Sequence, residues 1–149
     1  MKPVVNKKAR YHYEILEDYE AGMVLSGAEV KSIKNGNIDL KGAYVSLKDQ
    51  EPYLINARVP LYQYANDQDD YDASRDKKLL LNKKEIKSLI GKLKQKGLTL
   101  LPIKVYTRRG RVKLKIALVR GKTTYDKRQA IKKRDAQKEI EQRFKNNPL

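Results

Sequence analysis

A mainly β fold with helices follows from three features of the 149-residue sequence. Two pairs of short segments alternate apolar and polar side chains around turn signals, the pattern of hairpins with one buried face. Two amphipathic segments carry cap signals at both ends, which marks them as helices. The strand segments are too short for a wide open sheet, so the expected architecture is a small antiparallel OB-like β-barrel with two or three flanking helices. From residue 121 the composition changes, and 121–149 is expected to be a flexible basic C-terminal tail on a barrel spanning 1–120.

Residues 11–25 are rich in aromatic and β-branched side chains, with Tyr11, Tyr13 and Ile15 on one side of a strand-like alternation. Ala21-Gly22 predicts a bend or bulge in that strand. Ser26 then caps a helix, Glu29 three positions later completes a capping box, and Leu25 and Val30 take the places of a hydrophobic staple. Asn35-Gly36 supplies the left-handed stop. The first hairpin pairs 43–48 with 53–59, with Asp49 to Pro52 as its turn. Tyr62 to Asp76 carries five aspartates and almost no aliphatic residues, which predicts a mobile surface loop.

The second helix is expected from about Asn82 to Lys96. Ile86, Leu89, Ile90 and Leu93 form its apolar stripe, Asn82 and Glu85 its capping box, and Gly97 its stop. Leu98–Thr107 and Arg111–Val119 make the second hairpin around Arg109-Gly110. Its return strand sets Val112, Leu114, Ile116 and Leu118 against Arg111, Lys113 and Lys115, so one face is core and the other basic. Pro102 removes a ladder donor and predicts an edge position or a bulge. Residues 120–149 hold 10 Lys and Arg against 4 Asp and Glu, with a narrow stripe of Ala136, Ile140 and Phe144. Such a stripe has little to bury against and orders on a partner.

The chain carries 34 Lys and Arg against 18 Asp and Glu, a formal charge of +16. That charge draws polyanions from beyond contact distance, which favours nucleic acid. No apolar run approaches the ~20 residues a bilayer span needs, so no membrane partner and a cytoplasmic place are expected. No catalytic constellation is visible, and an enzyme is not expected. The chain has no cysteine and one histidine, His12, which leaves no thiol nucleophile, triad or Cys/His metal set. Asp67, Asp69 and Asp72 mimic a calcium loop, but its glycine position holds Asp72 and its final glutamate position Lys78. Gly121-Lys122-Thr123 follows a strand as a phosphate loop would, yet Ile116 stands where the first glycine belongs. No metal and no cofactor are expected. Arg108, Arg109, Arg111, Lys113 and Lys115 instead place regularly spaced cations on one sheet face, suited to a phosphate backbone. Tyr62, Tyr64 and Tyr125 lie in polar or basic contexts and are candidates for base stacking.

Four ordered blocks, YEAGMVLSGAEVKSIKNG (19–36), RDKKLLLNKKEI (75–86), KGLTLLPIKVY (96–106) and GKTTYDKR (121–128), resemble the SmpB family, as does the opening Asn6-Lys7-Lys8-Ala9-Arg10. The resemblance implies an RNA-binding adaptor, a monomer, that binds the tRNA-like domain of tmRNA and delivers it to the A site of stalled ribosomes for trans-translation. It implies that Asn6, Glu20 and Leu80 matter for tmRNA binding, with Lys7, Arg10, Lys31, Arg111 and Lys113 as further contacts. It places Tyr125, Asp126, Lys127 and Arg128 in the ribosomal decoding centre, followed by Lys132, Lys133, Arg134 and Lys138 along the mRNA channel. The competing reading is a general RNA chaperone or ribosome-associated structural protein, which would discriminate weakly between RNAs.

Overall fold

The computed structural model describes residues 1–65 and 70–121. Tyr125 and the rest of the expected tail beyond Gly121 lie outside the described residues, as do Asp67 and Asp69. The elements run β1 (Val4–Val5), α1 (Lys7–His12), β2 (Tyr13–Met23), α2 (Gly27–Lys34), β3 (Tyr44–Lys48), β4 (Glu51–Ile55), β5 (Lys77–Leu80), α3 (Lys83–Leu93), β6 (Leu98–Arg108) and β7 (Arg111–Gly121). The strands follow one another as β6-β3-β4-β5-β2-β7, and β7 pairs again with β6, so six antiparallel strands form a closed ring. β1 adds to β6 at Val105 and Lys104, on the strand whose pairing with β3 is the single register pair Val45–Leu100. This agrees with the expected OB-like architecture with flanking helices. No helix among the described residues is long and apolar enough to cross a membrane.

The ring encloses one core. Leu54, Leu79, Leu100, Leu114, Ile116 and Leu118 face inward, and Ile33 of α2 and Leu89 of α3 close its openings. Burying each such side chain stabilises the fold by about 1.5–3 kcal/mol relative to exposure. A second, smaller core lies outside the ring, where Leu101, Ile103, Ala117 and Val119 pack with Ala9 of α1 and half-buried Tyr13. The β6 and β7 segments are therefore apolar on both faces at this end, which explains their near-continuous apolar runs.

Helix α1 departs from the strand expected to begin at Tyr11, which is exposed. The Asn6 side chain caps α1 by accepting from the Ala9 amide, and Ala9 docks on the sheet; six residues are held by that cap and contact rather than by propensity. The bulge expected at Ala21-Gly22 is also misplaced. β2 runs unbroken through Gly22, and the register shift falls between Ile15 and Glu17. Gly22 serves close approach instead, since a Cβ there would sit 3.3 Å from the Leu80 Cβ on β5. The Pro102 signal does mark an irregularity, with a register shift between Pro102 and Lys104.

The first hairpin turns more tightly than expected. Asp49 and Gln50 both take positive φ, 51° and 66°, and Pro52 pairs with Leu47 inside β4. Helix α3 ends at Leu93, and Gly97, at φ 86°, turns the chain into β6. Part of the loop expected to be mobile is pinned. Tyr71 donates to the Val59 carbonyl at 2.7 Å, the Val59 amide donates to Ala73, and Arg75 pairs with Glu29. Composition missed this because the pins are two side chains, Tyr71 and Arg75, and one backbone hydrogen bond reaching out of the segment rather than apolar burial within it.

The Glu29 pairing forms a buried charge cluster. Glu29 completes the α2 capping box with Ser26 and accepts from Arg75 Nε at 3.3 Å. Fully buried Lys77 lies 3.9 Å from Glu29 and donates to the carbonyls of Ala57 and Arg75. Burial opposes ionisation of Glu29, but the Arg75 hydrogen bond, the Ser26 amide and the charges of Arg75 and Lys77 hold its carboxyl below the usual range. α2 and the start of β5 are thereby locked together.

Candidate nucleic-acid interface

Strand register decides which side chains reach the outer face of the ring. Along β7, Val112, Leu114, Ile116 and Leu118 point in, while Arg111, Lys113, Lys115, Ala117 and Val119 point out. The same face thus changes from basic to apolar between Lys115 and Ala117, and α1 covers the apolar end. Neighbouring strands extend the basic end in register. Val5, Lys104, Lys115 and Glu20 form one row across β1, β6, β7 and β2. Tyr106, Lys113, Gly22 and Leu80 form the next across β6, β7, β2 and β5, with Arg108 and Arg111 beyond.

A carboxylate is held in the middle of this cationic face. Glu20 accepts from the Tyr106 hydroxyl and from Arg108 Nη1 at 3.2 and 3.4 Å. The Tyr106 hydrogen bond, then the Arg108 contact and the charges of Arg108 and Lys113, hold the Glu20 carboxyl below its usual range. Burial and the Glu20 hydrogen bond push the Tyr106 phenol up to about 12, so it remains a donor at neutral pH. Lys104 lies over the Tyr106 ring at 5.0 Å from the centroid. Glu20, Arg108, Arg109, Arg111 and Lys113 line a cavity of about 510 Å³. Beside it, sharing Arg111 and Lys113, a second cavity of about 290 Å³ has Met23, Leu25, Val30 and Leu80 in its walls. Leu80 is 53% exposed between buried Leu79 and half-buried Leu81. One cavity offers charge and fixed acceptors, and the other an apolar wall.

Residues 3–146 match the SmpB protein family. The chain belongs to the SmpB family. Among SmpB relatives, the SsrA-binding protein of Sulfurihydrogenibium sp. is 49% identical over 140 residues, covering 94% of this chain and 91% of the relative. That of Thermosynechococcus vestitus is 46% identical over 140 residues, covering 94% and 92%. A solved chain from "tmRNA-SmpB: a journey to the center of the bacterial ribosome" superposes with a TM-score of 0.68 at 43% identity, over 83% of this chain and 87% of that one.

The SmpB site residues expected from sequence separate into groups. Glu20, Leu80, Arg111 and Lys113 come together around the two adjoining cavities. Asn6, Lys7 and Arg10 belong to the start of α1, which adjoins the basic rows at Val5 and Lys104. The Asn6 amide is committed to the protein: its Nδ2 donates to the Pro102 carbonyl at 2.9 Å, and its backbone N–H donates to Ile103 at 2.8 Å. Lys31 stands apart on α2, 5.7 Å from the Tyr62 ring centroid. Tyr125, Asp126, Lys127, Arg128, Lys132, Lys133, Arg134 and Lys138 lie outside the described residues. Sequence reasoning missed Tyr106 and Lys104, although Lys104, Tyr106 and Arg108 alternate with Val105 as visibly as the β7 cations do. Among the described residues no group of His, Cys, Asp and Glu is placed to hold a metal ion.

Proposed function

We propose that this chain is an RNA-binding adaptor that binds the tRNA-like domain of tmRNA and delivers it to the A site of stalled ribosomes for trans-translation. The observation that supports this reading best is the Glu20 carboxylate held between Tyr106 and Arg108 beside exposed Leu80, on a face rich in cations. Lys104, Arg108, Arg111, Lys113 and Lys115 attract the phosphate backbone, and attraction alone selects no sequence. Glu20 supplies choice. Tyr106 and Arg108 orient its carboxylate, and its remaining lone pairs accept from base N–H groups or 2′-hydroxyls. Leu80 offers the face of an unstacked base an apolar surface. Asn6 acts through position: by tying α1 to the irregular stretch of β6, it presents Lys7 and Arg10 at the rim. The body, residues 1–120, selects tmRNA, and the tail, residues 121–149, engages the decoding centre through Tyr125, Asp126, Lys127 and Arg128 and the mRNA channel through its later cations. The chain works by binding, with no catalytic step.

Competition between tmRNA and an unrelated folded RNA across a salt series tests the proposal. Both affinities fall steeply with salt, and an adaptor keeps a large ratio between them. A ratio near one at every salt concentration overturns it. Deleting residues 129–149 is expected to leave tmRNA affinity nearly intact and to abolish tagging of stalled peptides; a large loss of tmRNA affinity refutes the division of labour.

A further inference from the structure

The basic face leaves a sizeable cleft unused. It measures about 550 Å³ and lies on the outer side of the ring, between α1, β6 and the start of β3. It opens over the seam where β3 and β6 share one register pair. Lys8, His12, Tyr13, Tyr44, Thr99 and Leu101 are among the residues that line it. Its volume falls in the range of clefts that hold small ligands, roughly 300–1,000 Å³. The chemistry is that of a nucleotide site. Tyr44, 39% exposed, and half-buried Tyr13 supply aromatic rings, Leu101 an apolar side chain, Thr99 and Tyr44 hydroxyls, and exposed Lys8 a cation. A neighbouring cavity of about 230 Å³ adds Lys7 and Lys41, with Asp39 the acidic group on that side, its carboxylate accepting from the Lys41 backbone N–H. A phosphate strand therefore meets three cations in passing from one cavity to the next. Tyr13 pairs with Gly121, so the cleft lies beside the end of β7.

We propose that this cleft receives one unpaired nucleotide of an RNA strand, its base against Tyr44 and Leu101 and its phosphate on Lys8. The proposal rests on the RNA-binding reading above and adds a second contact, separated from the Glu20 face by α1. The strand belongs either to tmRNA or to ribosomal RNA, and the same chemistry serves both.

The test replaces Tyr44 with the photocrosslinker p-benzoylphenylalanine in the full chain and irradiates it separately with tmRNA and with small ribosomal subunits. The variants Tyr44→Ala and Lys8→Glu are titrated against the same two partners, with thermal melting as a check on folding; both side chains are exposed. The expected result is a crosslink confined to one unpaired nucleotide in one of the partners, with affinity for that partner about tenfold weaker in each variant. Scattered crosslinks, no crosslink, or affinities within twofold of the parent for both partners overturn the proposal. A parent protein that still prefers tmRNA over an unrelated RNA keeps the adaptor reading intact in those cases, whereas loss of that preference in the parent refutes the adaptor reading itself.

Discussion

Replacing Asn6 with alanine distinguishes a residue that touches RNA from one that positions a helix. The side chain makes two contacts in the structure: its oxygen accepts from the Ala9 amide at 3.3 Å, and its nitrogen donates to the Pro102 carbonyl at 2.9 Å. Losing an N-cap costs about 1 kcal/mol, and losing a half-buried hydrogen bond costs about as much again. The sum, about 2 kcal/mol, corresponds to a melting temperature lower by roughly 6–10 °C for a domain of this size. Calorimetry on the full chain measures it. Asn6→Ser keeps the capping oxygen and lacks the amide donor, so its loss is expected near half that of alanine. At 10 °C, where the alanine variant is still folded, tmRNA affinity is expected to fall by less than threefold. A melting temperature within 2 °C of the parent, together with tmRNA binding weakened tenfold at 10 °C, would refute the positioning role and place the amide on the RNA.

Leu80→Ala is expected to weaken tmRNA binding about tenfold while moving the urea midpoint little, because the side chain is 53% exposed. Gly22→Val should reproduce the affinity loss by displacing Leu80 across a 3.3 Å contact, at a cost to stability of about 1–3 kcal/mol. Glu29→Ala leaves the fully buried Lys77 ammonium without its counter-charge, and urea unfolding is expected to show a loss of about 3–5 kcal/mol. Because the folded protein holds Glu29 below its usual 4.5, the stability it supplies is present above that pH and is lost as pH falls through the lowered value; acid unfolding of the alanine variant should lack this component. Glu20 follows the same sign: with Tyr106 and then Arg108 favouring its ionised form, its contribution to tmRNA affinity should not change between pH 7 and 5, and Glu20→Gln should lower affinity across that range in filter binding.

The elements that sequence revealed are those whose signal is local. The Ser26 and Asn82 capping boxes, the Gly36 and Gly97 turns and the β7 alternation each depend on residues a few positions apart. What escaped depends on distant partners. Helix α1 exists because Asn6 and Ala9 find β6, almost a hundred residues later, and β5 exists because Lys77 to Leu80 bridge β4 and β2. At the candidate interface the charges were legible from period two, whereas the Tyr106–Glu20–Arg108 cluster required the register of three strands.

The two register shifts beside β7 carry a further consequence. Below the shift at Leu16, odd-numbered residues such as Tyr13 and Ile15 face outward; above it, even-numbered Asp18, Glu20 and Gly22 do. β6 changes parity in the same way, from Thr99 and Leu101 to Lys104 and Tyr106, while β7 between them never does. Each extra residue therefore acts as a switch of address: deleting Leu16 would join Ile15 to Glu17 in an unbroken ladder with Glu20 still facing outward, whereas deleting Asp18 with the bulge kept would turn Glu20 toward the core and Tyr19 toward the solvent. A change of count is therefore absorbed only at the two bulges, and along the regular stretches of these strands the chain can change its side chains one at a time but not their number.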